Sequence, residues 1–160
     1  MHSNKNNWRT PQWLWLRLHE VFDFEIDGAS DGTNHLLPNY HTKNTPQETI
    51  ISDYSNKRIF INPPFNELNS SVDWLSHATL CYDTGLINLL VYLIPLAPET
   101  KPFTAWVWPY AKVFIFNKRI NYVDPLTNRI KKGVRFPSCL AVYTKSEFNS
   151  EILKDLGVWK

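Results

Sequence analysis

This 160-residue chain has little cysteine, no large charge excess and no long hydrophobic run, and each shortage excludes a class of protein. Its two cysteines, Cys81 and Cys139, are far apart and form no CxxC pair, which disfavours a disulfide framework and a structural zinc site. A net charge of +2 is too small to indicate nucleic-acid binding from bulk charge alone. The longest apolar run, residues 86–97, is too short to span a bilayer.

Two further absences, of an apolar signal region and of metal-ligand spacing, bear on the protein's location and on metal binding. The first eight residues are polar and contain no apolar signal region, so we expect a cytoplasmic protein with reduced thiols. The five histidines show no spacing typical of metal ligands, so we expect them on the surface or in loops and expect no bound metal. Neither a membrane partner nor an oligomeric state is predicted.

The residues that are present are those of a globular domain. Hydrophobic residues make up 43% of the chain and charged residues 20%, which is typical of soluble domains. At this length folding buries roughly 70% of the chain's surface, and there is room for one domain, residues 1–160. A separate target-recognition domain does not fit.

The pattern of apolar residues predicts an α/β sheet with a largely parallel centre. Strands are predicted at 24–26, 58–61, 86–94, 112–116 and 139–143. Helices are predicted at 11–22, 45–51, 70–82 and 103–108, and from 146 to before Gly157. Thr10 is expected to cap the first helix and Pro11 to occupy its first position. Ligands of such sheets bind beyond the carboxyl ends of the strands, where the predicted turns 27–30, 62–65 and 95–98 would lie.

The segment Asn62-Pro63-Pro64-Phe65, directly after a hydrophobic strand, is the most informative motif. The prolines stop the strand, so the Asn62 side-chain oxygen and the Pro63 carbonyl can accept the two hydrogens of an exocyclic amine. Phe65 offers a flat face to the attached heterocycle, as a flipped adenine would require. This grip would direct the nitrogen lone pair and stabilise the charge that develops as the amine attacks a methyl group. A proline-stopped strand with an ordinary turn is the alternative.

A local excess of basic residues in the segment 117–137 predicts a hairpin or loop that contacts DNA phosphates. The basic residues are Lys118, Arg119, Arg129, Lys131, Lys132 and Arg135. Tyr122 and Phe136 lie among them, and their rings could stack on bases or wedge between them. A solvated hairpin face is the alternative.

Together these segments resemble the phage-type DNA N6-adenine methyltransferases, the Dam-like family, over residues 8–143. The likeness rests on the order of short segments. They are Trp8-Arg9-Thr10-Pro11 before an amphipathic helix, Asp27-Gly28-Ala29-Ser30, the spaced residues Asn34, Pro38, Tyr40 and Thr42, the pair Asp53-Tyr54, Asn62 to Phe65, and Arg135-Phe136-Pro137-Ser138.

The resemblance implies a small Rossmann-like methyltransferase that uses S-adenosylmethionine and methylates a flipped adenine in double-stranded DNA. It implies catalytic roles for Asn62, Pro63, Pro64 and Phe65. It places the cofactor against Trp8, Thr10, Pro11, Asp27, Gly28, Ala29, Ser30, Asp53 and Asn62. By family inference, the marking would protect phage DNA from restriction inside an infected bacterial cell.

Other readings of the same residues stay open at this point. The motif geometry also suits the amine of a cytosine, an RNA base or the amide of a glutamine side chain. A protein of this fold could also bind nucleic acid without catalysis. Asp27 could be only a turn-forming residue, and Asp53 could cap a turn with Ser55.

Overall fold

The computed structural model describes residues 8–64 and 72–160, without the side chains at 47, 72–74 and 76–78. Three α-helices lie in this part of the chain: α1 (Gln12–Phe22), α2 (Gln47–Tyr54) and α3 (Val72–Asp83). Its strands are β1 (Ile26–Ser30), β2 (Tyr40–Thr42), β3 (Arg58–Ile61), β4 (Leu89–Pro95), β5 (Lys112–Phe116), β6 (Ser138–Thr144) and β7 (Gly157–Trp159). A π-helical turn spans Phe103–Val107, and a 3-10 turn spans Ser150–Leu153.

All seven strands form one sheet in the order β2-β1-β3-β4-β6-β5-β7. The four strands β2, β1, β3 and β4 run parallel to one another. From β4 onward each neighbouring pair is antiparallel, so β5 runs in the direction of β4 while β6 and β7 run against it. The predicted α/β sheet is confirmed, and its parallel part is the half formed by β2, β1, β3 and β4.

Alternating side chains divide the interior into two cores, one on each face of the sheet. In β3, Ile59 and Ile61 enter one core while Phe60 enters the other. The long central strand β4 repeats the pattern over seven residues and is buried almost throughout. Helix α1 covers the face of Phe60 through Leu14 and Leu18, and α3 reaches the opposite core. The continuous hydrophobic run of β4 is therefore explained by cover on both faces.

Three expectations about the elements are wrong. The segment 27–30, predicted as a turn, is the main part of β1, because pairing with a parallel strand on each side overrides its turn-forming residues. The short strand β2 was not predicted. In place of a last helix after Ser146 the chain forms the 3-10 turn and then β7, an edge strand that pairs with β5.

Candidate active site

The strand order reverses between β1 and β3. From β1 the chain moves outward to β2 and then returns through α2 to β3, on the other side of β1. In open parallel sheets such a reversal leaves a ligand crevice beyond the carboxyl ends of the two strands. This edge, called the carboxyl edge below, carries the end of β1 at Ser30 and the Asn62-Pro63-Pro64 segment that follows β3.

Asn62 is the first residue after β3, and its side chain turns back toward the start of the chain. Its Nδ2 donates to the carbonyl oxygen of Trp8 at 2.9 Å and to Thr10 Oγ1 at 3.0 Å. A backbone carbonyl can only accept, so this contact assigns the nitrogen and the oxygen of the amide. The carboxamide is therefore held in one orientation by two residues that are more than fifty positions away in the sequence.

The remaining amide atom, Asn62 Oδ1, is buried and has no hydrogen-bond partner among the described residues. Buried polar atoms are nearly always hydrogen-bonded, because losing water without replacement costs free energy. An orphaned acceptor at the carboxyl edge is therefore an observation that points to a ligand carrying an N–H or O–H donor. This is the atom that the sequence singled out as an acceptor for an amine.

Pro63 is buried and Pro64 is half-buried at the end of β3. A proline has no N–H group to donate to a neighbouring strand, so two in succession end the sheet pairing here as predicted. Phe65, the predicted stacking ring, lies outside the described residues, which end at 64 and resume at 72.

Asp27 is buried in β1. Its Oδ2 accepts the Leu36 N–H at 2.9 Å and its Oδ1 accepts the Ala29 N–H at 3.3 Å. Burial raises the pKa of Asp27 to about 6, although these two hydrogen bonds act in the opposite direction. No basic side chain forms a salt bridge with it in the described parts of the chain. The carboxylate thus organises the loop after β1, and among the described side chains only the more distant charge of His35 favours its ionised form.

Gly28 allows the close packing of β1 against its neighbours. A Cβ atom at this position would lie 2.6 Å from Ile61 Cγ1 and 2.8 Å from the Tyr54 hydroxyl oxygen. After Ala29, the hydroxyl of Ser30 accepts the Gly32 N–H and bonds Asn34 Oδ1, closing a tight turn directly beyond β1. The predicted cofactor segment 27–30 is therefore a rigid strand end followed by a hydrogen-bonded turn.

Asp53 lies in the last turn of α2 and pairs with His41 of β2. Its Oδ2 is 2.9 Å from His41 Nε2, and the His41 ring stacks on Tyr54 with ring centres 5.5 Å apart. Asp53 is thereby tied to the outer strand of the parallel half and does not cap a turn with Ser55. His41 is buried in β2, so the prediction that it lies on the surface or in a loop is wrong, and Nδ1 of its ring has no partner among the described residues.

Residues 8–10 form an amino-terminal strap across the carboxyl edge. Thr10 was expected to cap α1, but the N-cap position belongs to Pro11, no side chain caps the helix, and the Thr10 hydroxyl accepts from Asn62. Arg9 pairs through its backbone with Val123, with both N–H···O distances 2.9 Å. The strap therefore joins Asn62 to the basic segment, a link that no local sequence pattern indicates.

The basic segment, residues 117–137, connects β5 to β6 and is called the basic hairpin below. Val123 bridges both Arg9 and Ile130, and the Lys131 N–H donates to the Tyr122 carbonyl at 2.8 Å, so the predicted hairpin is present. Because β5 ends and β6 begins at the carboxyl edge, the hairpin lies there too. All six of its basic side chains are exposed, and Lys131 lies over the Trp8 ring.

The two rings predicted to stack on bases are placed inward. Tyr122 is fully buried, and its hydroxyl is 2.7 Å from Ser138 Oγ. Phe136 is half-buried with its ring centre 6.1 Å from that of Tyr122. The prediction that Tyr122 could wedge between bases is wrong, because the hairpin folds its aromatic residues onto the second core. Its exposed apolar side chains are Leu126 and Ile130.

Other features of the described residues lie away from this edge. A cleft of about 300 Å³ is lined by Lys112, Phe148 and Trp159, and it sits where β5 begins, at the opposite edge of the sheet. No group of three or more metal-ligating side chains occurs within residues 8–64 and 72–160 as described. In the same residues no helix is long and apolar enough to cross a membrane.

The matching family and the matching relative carry the same description. A family described as DNA N-6-adenine-methyltransferase (Dam) matches residues 1–154. A DNA N-6-adenine-methyltransferase of Haemophilus phage HP1 (strain HP1c1) is 26% identical over 145 residues, which cover 88% of this chain and 80% of the relative. No solved structure matches the chain significantly.

Proposed function

Because the chain belongs to the DNA N-6-adenine-methyltransferase (Dam) family, we propose that it transfers a methyl group from S-adenosylmethionine to the N6 amine of an adenine in duplex DNA. One observation supports this above the others: the buried, unpartnered Asn62 Oδ1 at the carboxyl edge. It is the acceptor that an exocyclic amine needs, in an amide whose orientation is already held by the strap.

Asn62 acts on the attacking nitrogen. Its Oδ1 accepts one N–H of the adenine amine, which turns the nitrogen lone pair away from the ring and toward the methyl group. As the N–C bond forms and the bond between the methyl carbon and the donor sulfur breaks, positive charge grows on that nitrogen, and a preorganised acceptor stabilises it more than it stabilises the neutral amine. The methylated nitrogen would then release one proton to water. The two hydrogen bonds to Nδ2 keep the oxygen aimed throughout.

The rest of the motif completes the grip on the base. In this proposal the Pro63 carbonyl accepts the second amine hydrogen and Pro64 fixes the direction of the chain. Phe65 stacks on the adenine ring once the base has left the duplex. The base is flipped because its amine is otherwise engaged in pairing and its faces in stacking.

The residues at the end of β1 suit the cofactor. S-adenosylmethionine supplies a methyl group bonded to a positively charged sulfur, and it also carries an ammonium group. Asp27 is a buried carboxylate that forms no salt bridge with the described side chains, and burial is the largest cause of its pKa being raised to about 6, so a bound cation would favour its charged form. We assign Asp27 to Ser30, Thr10, Pro11, Trp8, Asp53 and Asn62 to the cofactor contacts.

The fold supports the same assignment. The parallel half with its reversal between β1 and β3 is what a Rossmann-like methyltransferase requires, and we propose that residues 1–160 form one such domain. The basic hairpin then supplies the DNA contacts from Lys118, Arg119, Arg129, Lys131, Lys132 and Arg135.

The test is methylation of unmethylated DNA by the purified protein, with nucleoside mass spectrometry as the readout. The wild type should produce N6-methyladenine. Asn62→Ala should lower the rate by about a hundred- to a thousand-fold, as loss of a preorganised charge-stabilising group does elsewhere. Its matched control is Asn88→Ala, an exposed asparagine directly before β4 at the opposite edge, which should act as wild type.

Each other outcome has a definite meaning. Retained turnover in a folded Asn62→Ala protein would overturn the role of Asn62. Methylation of cytosine or RNA in place of DNA adenine would keep the mechanism and change the acceptor. Salt-sensitive DNA binding with no methylated nucleoside and no thermal shift with S-adenosylmethionine would favour a non-catalytic binding protein.

A further inference from the structure

The tip of the basic hairpin carries an apolar side chain that is exposed to solvent. Leu126 is 70% exposed, the largest fraction among the large hydrophobic side chains of the described residues, and Ile130 follows within the same hairpin at 59%. Leaving such side chains in water costs free energy, so two of them in one hairpin, with the more exposed one at its turn, point to an interaction surface.

The tip is also held in shape before anything binds. Asp124 Oδ1 accepts the N–H groups of Leu126 at 2.8 Å and of Thr127 at 3.3 Å. The Asn128 N–H donates to the Asp124 carbonyl, and Asn128 adopts a positive φ of 55° that reverses the chain. Leu126 is therefore presented by a preformed turn, which lowers the entropy lost when it engages a partner.

Charge identifies the partner as a nucleic acid. Residues 117–137 contain six basic side chains and one acidic side chain. The carboxylate of that acidic residue, Asp124, accepts hydrogen bonds from backbone N–H groups of the turn. An apolar tip between exposed cations matches a duplex, whose stacked bases lie between two rows of phosphates. A two-stranded ribbon is also narrow enough for the major groove, which is about 12 Å wide.

The strap fixes this tip relative to the active site. Asn62 bonds the strap at Trp8 and Thr10, and Arg9 between them is paired with Val123 of the ribbon. Leu126 is three residues beyond Val123, so its Cα lies within about 10 Å of the strap-paired residue. The hairpin tip is thus connected to Asn62 through the strap, so a duplex whose adenine reaches Asn62 would also pass near the tip.

We propose that Leu126 enters the base stack and fills the space left by the flipped adenine. The inference rests on the proposed function and goes beyond it, because it names the group that replaces the lost stacking. Tyr122 cannot do this since it is buried, and Ile130 lies on the side of the ribbon, where it pairs with Val123. Arg129, Lys131 and Lys132 would hold the flanking phosphates while the side chain is inserted.

The experiment compares two DNA substrates built around the sequence that the wild type methylates, mapped first by sequencing methylated DNA. In one, the target adenine is paired; in the other, it stands opposite an abasic position and is already unpaired. Leu126→Ala should lower kcat/KM on the paired substrate by at least about ten-fold, because the combined cost of breaking the base pair and leaving the stack is no longer offset. On the unpaired substrate the same variant should stay within about two-fold of wild type.

Two further variants sharpen the reading. Leu126→Met keeps an apolar side chain of similar length and should restore activity on the paired substrate. Leu80→Ala removes a leucine of similar exposure, 60%, from the last turn of α3 near the opposite edge, and should change neither rate. Equal loss on both substrates in Leu126→Ala, or no loss on either, would overturn the insertion while the proposed function stands.

A binding measurement separates failure of the insertion from failure of the proposed function. Wild-type protein should bind a duplex with one abasic gap about ten-fold more tightly than the intact duplex, and Leu126→Ala should lose that preference. If wild type methylates no DNA adenine, the proposed function fails and this preference alone decides the insertion. No preference in the wild type, or the same preference in Leu126→Ala, overturns it.

Discussion

The carboxyl ends of β1 and β3 and the basic hairpin lie at one edge of the sheet but are built in opposite ways. At the strand ends, the polar side chains of Asp27 and Asn62 are few, enclosed and held by backbone groups. On the hairpin, the charged side chains are many and exposed. This difference fits the proposed roles, because orienting a reacting atom needs immobilised groups, whereas binding a phosphate backbone needs only nearby positive charge.

Neutralising the hairpin should break DNA binding and leave the strand ends intact. Arg129→Gln, Lys132→Gln and Arg135→Gln combined remove three charges while keeping Lys131, which contacts the strap. Counterion release predicts that the negative slope of log K against log salt becomes shallower by about 2.7 and that affinity at 0.15 M salt drops about a hundred-fold. Fluorescence anisotropy with labelled duplex across a salt series measures both.

The matched control is Lys112→Gln, Lys145→Gln and Lys160→Gln, three exposed lysines at the opposite edge of the sheet. It should retain the wild-type slope, and S-adenosylmethionine affinity should be unchanged in both triple variants. A hairpin variant with the wild-type slope would show that phosphates are contacted elsewhere.

Replacing Asp27 should change how the stability of the protein depends on pH and leave DNA binding intact. Since the pKa of Asp27 is raised from 3.8 to about 6, the folded protein binds its proton more tightly than the unfolded chain. The free energy of unfolding should therefore fall as pH rises through this range, by a total of about 3 kcal/mol. Urea unfolding of wild type and Asp27→Asn at pH 4 to 7 measures it, because the variant lacks this proton.

Parallel stability curves for the two proteins would contradict the burial of an unpaired carboxylate. Asp31 provides a matched control, because burial tends to raise its pKa but hydrogen bonds from Thr33 and Asn34 outweigh burial and lower it. Asp31→Asn should leave the pH dependence between 4 and 7 close to that of wild type.

The smallest expected effect comes from packing behind the strand ends. Gly28→Ala places a methyl group within 3 Å of Ile61 and Tyr54, so we expect a loss of about 2 kcal/mol in the free energy of unfolding. Gly133→Ala, at an open position with a positive φ, is the comparison, and strain there should cost about 1 kcal/mol. Thermal unfolding measures the loss of stability in each variant. A Gly28→Ala protein as stable as wild type would mean that β1 and its neighbours move apart at little cost.

The part of the site that follows β3 could be predicted from sequence because its signals are local. A hydrophobic run stopped by two prolines places Asn62 at a strand end whatever the rest of the chain does. The burial of β4 on both faces could be predicted for the same reason, since a strand covered on both faces needs an unbroken apolar run.

The features that sequence reasoning missed depend on distant partners. Asp27 to Ser30 look like a turn, but two parallel neighbours make them strand. His41 looks like a loop residue, yet Tyr54 and Asp53, both from α2, enclose it. The hydrogen bond from Asn62 to Thr10 joins residues fifty-two positions apart, and no local sequence pattern near either residue predicts it.

The strap has a practical consequence for handling the protein. A deletion that ran through Thr10 would touch no residue of the Asn-Pro-Pro motif, yet it would remove both acceptors of Asn62 Nδ2. The freed carboxamide could then rotate and exchange the positions of its nitrogen and oxygen, so under the proposed function we expect a truncated protein to lose activity while its sheet stays intact. Affinity tags are therefore better placed after Lys160, and amino-terminal trimming to aid crystallisation should stop before Trp8.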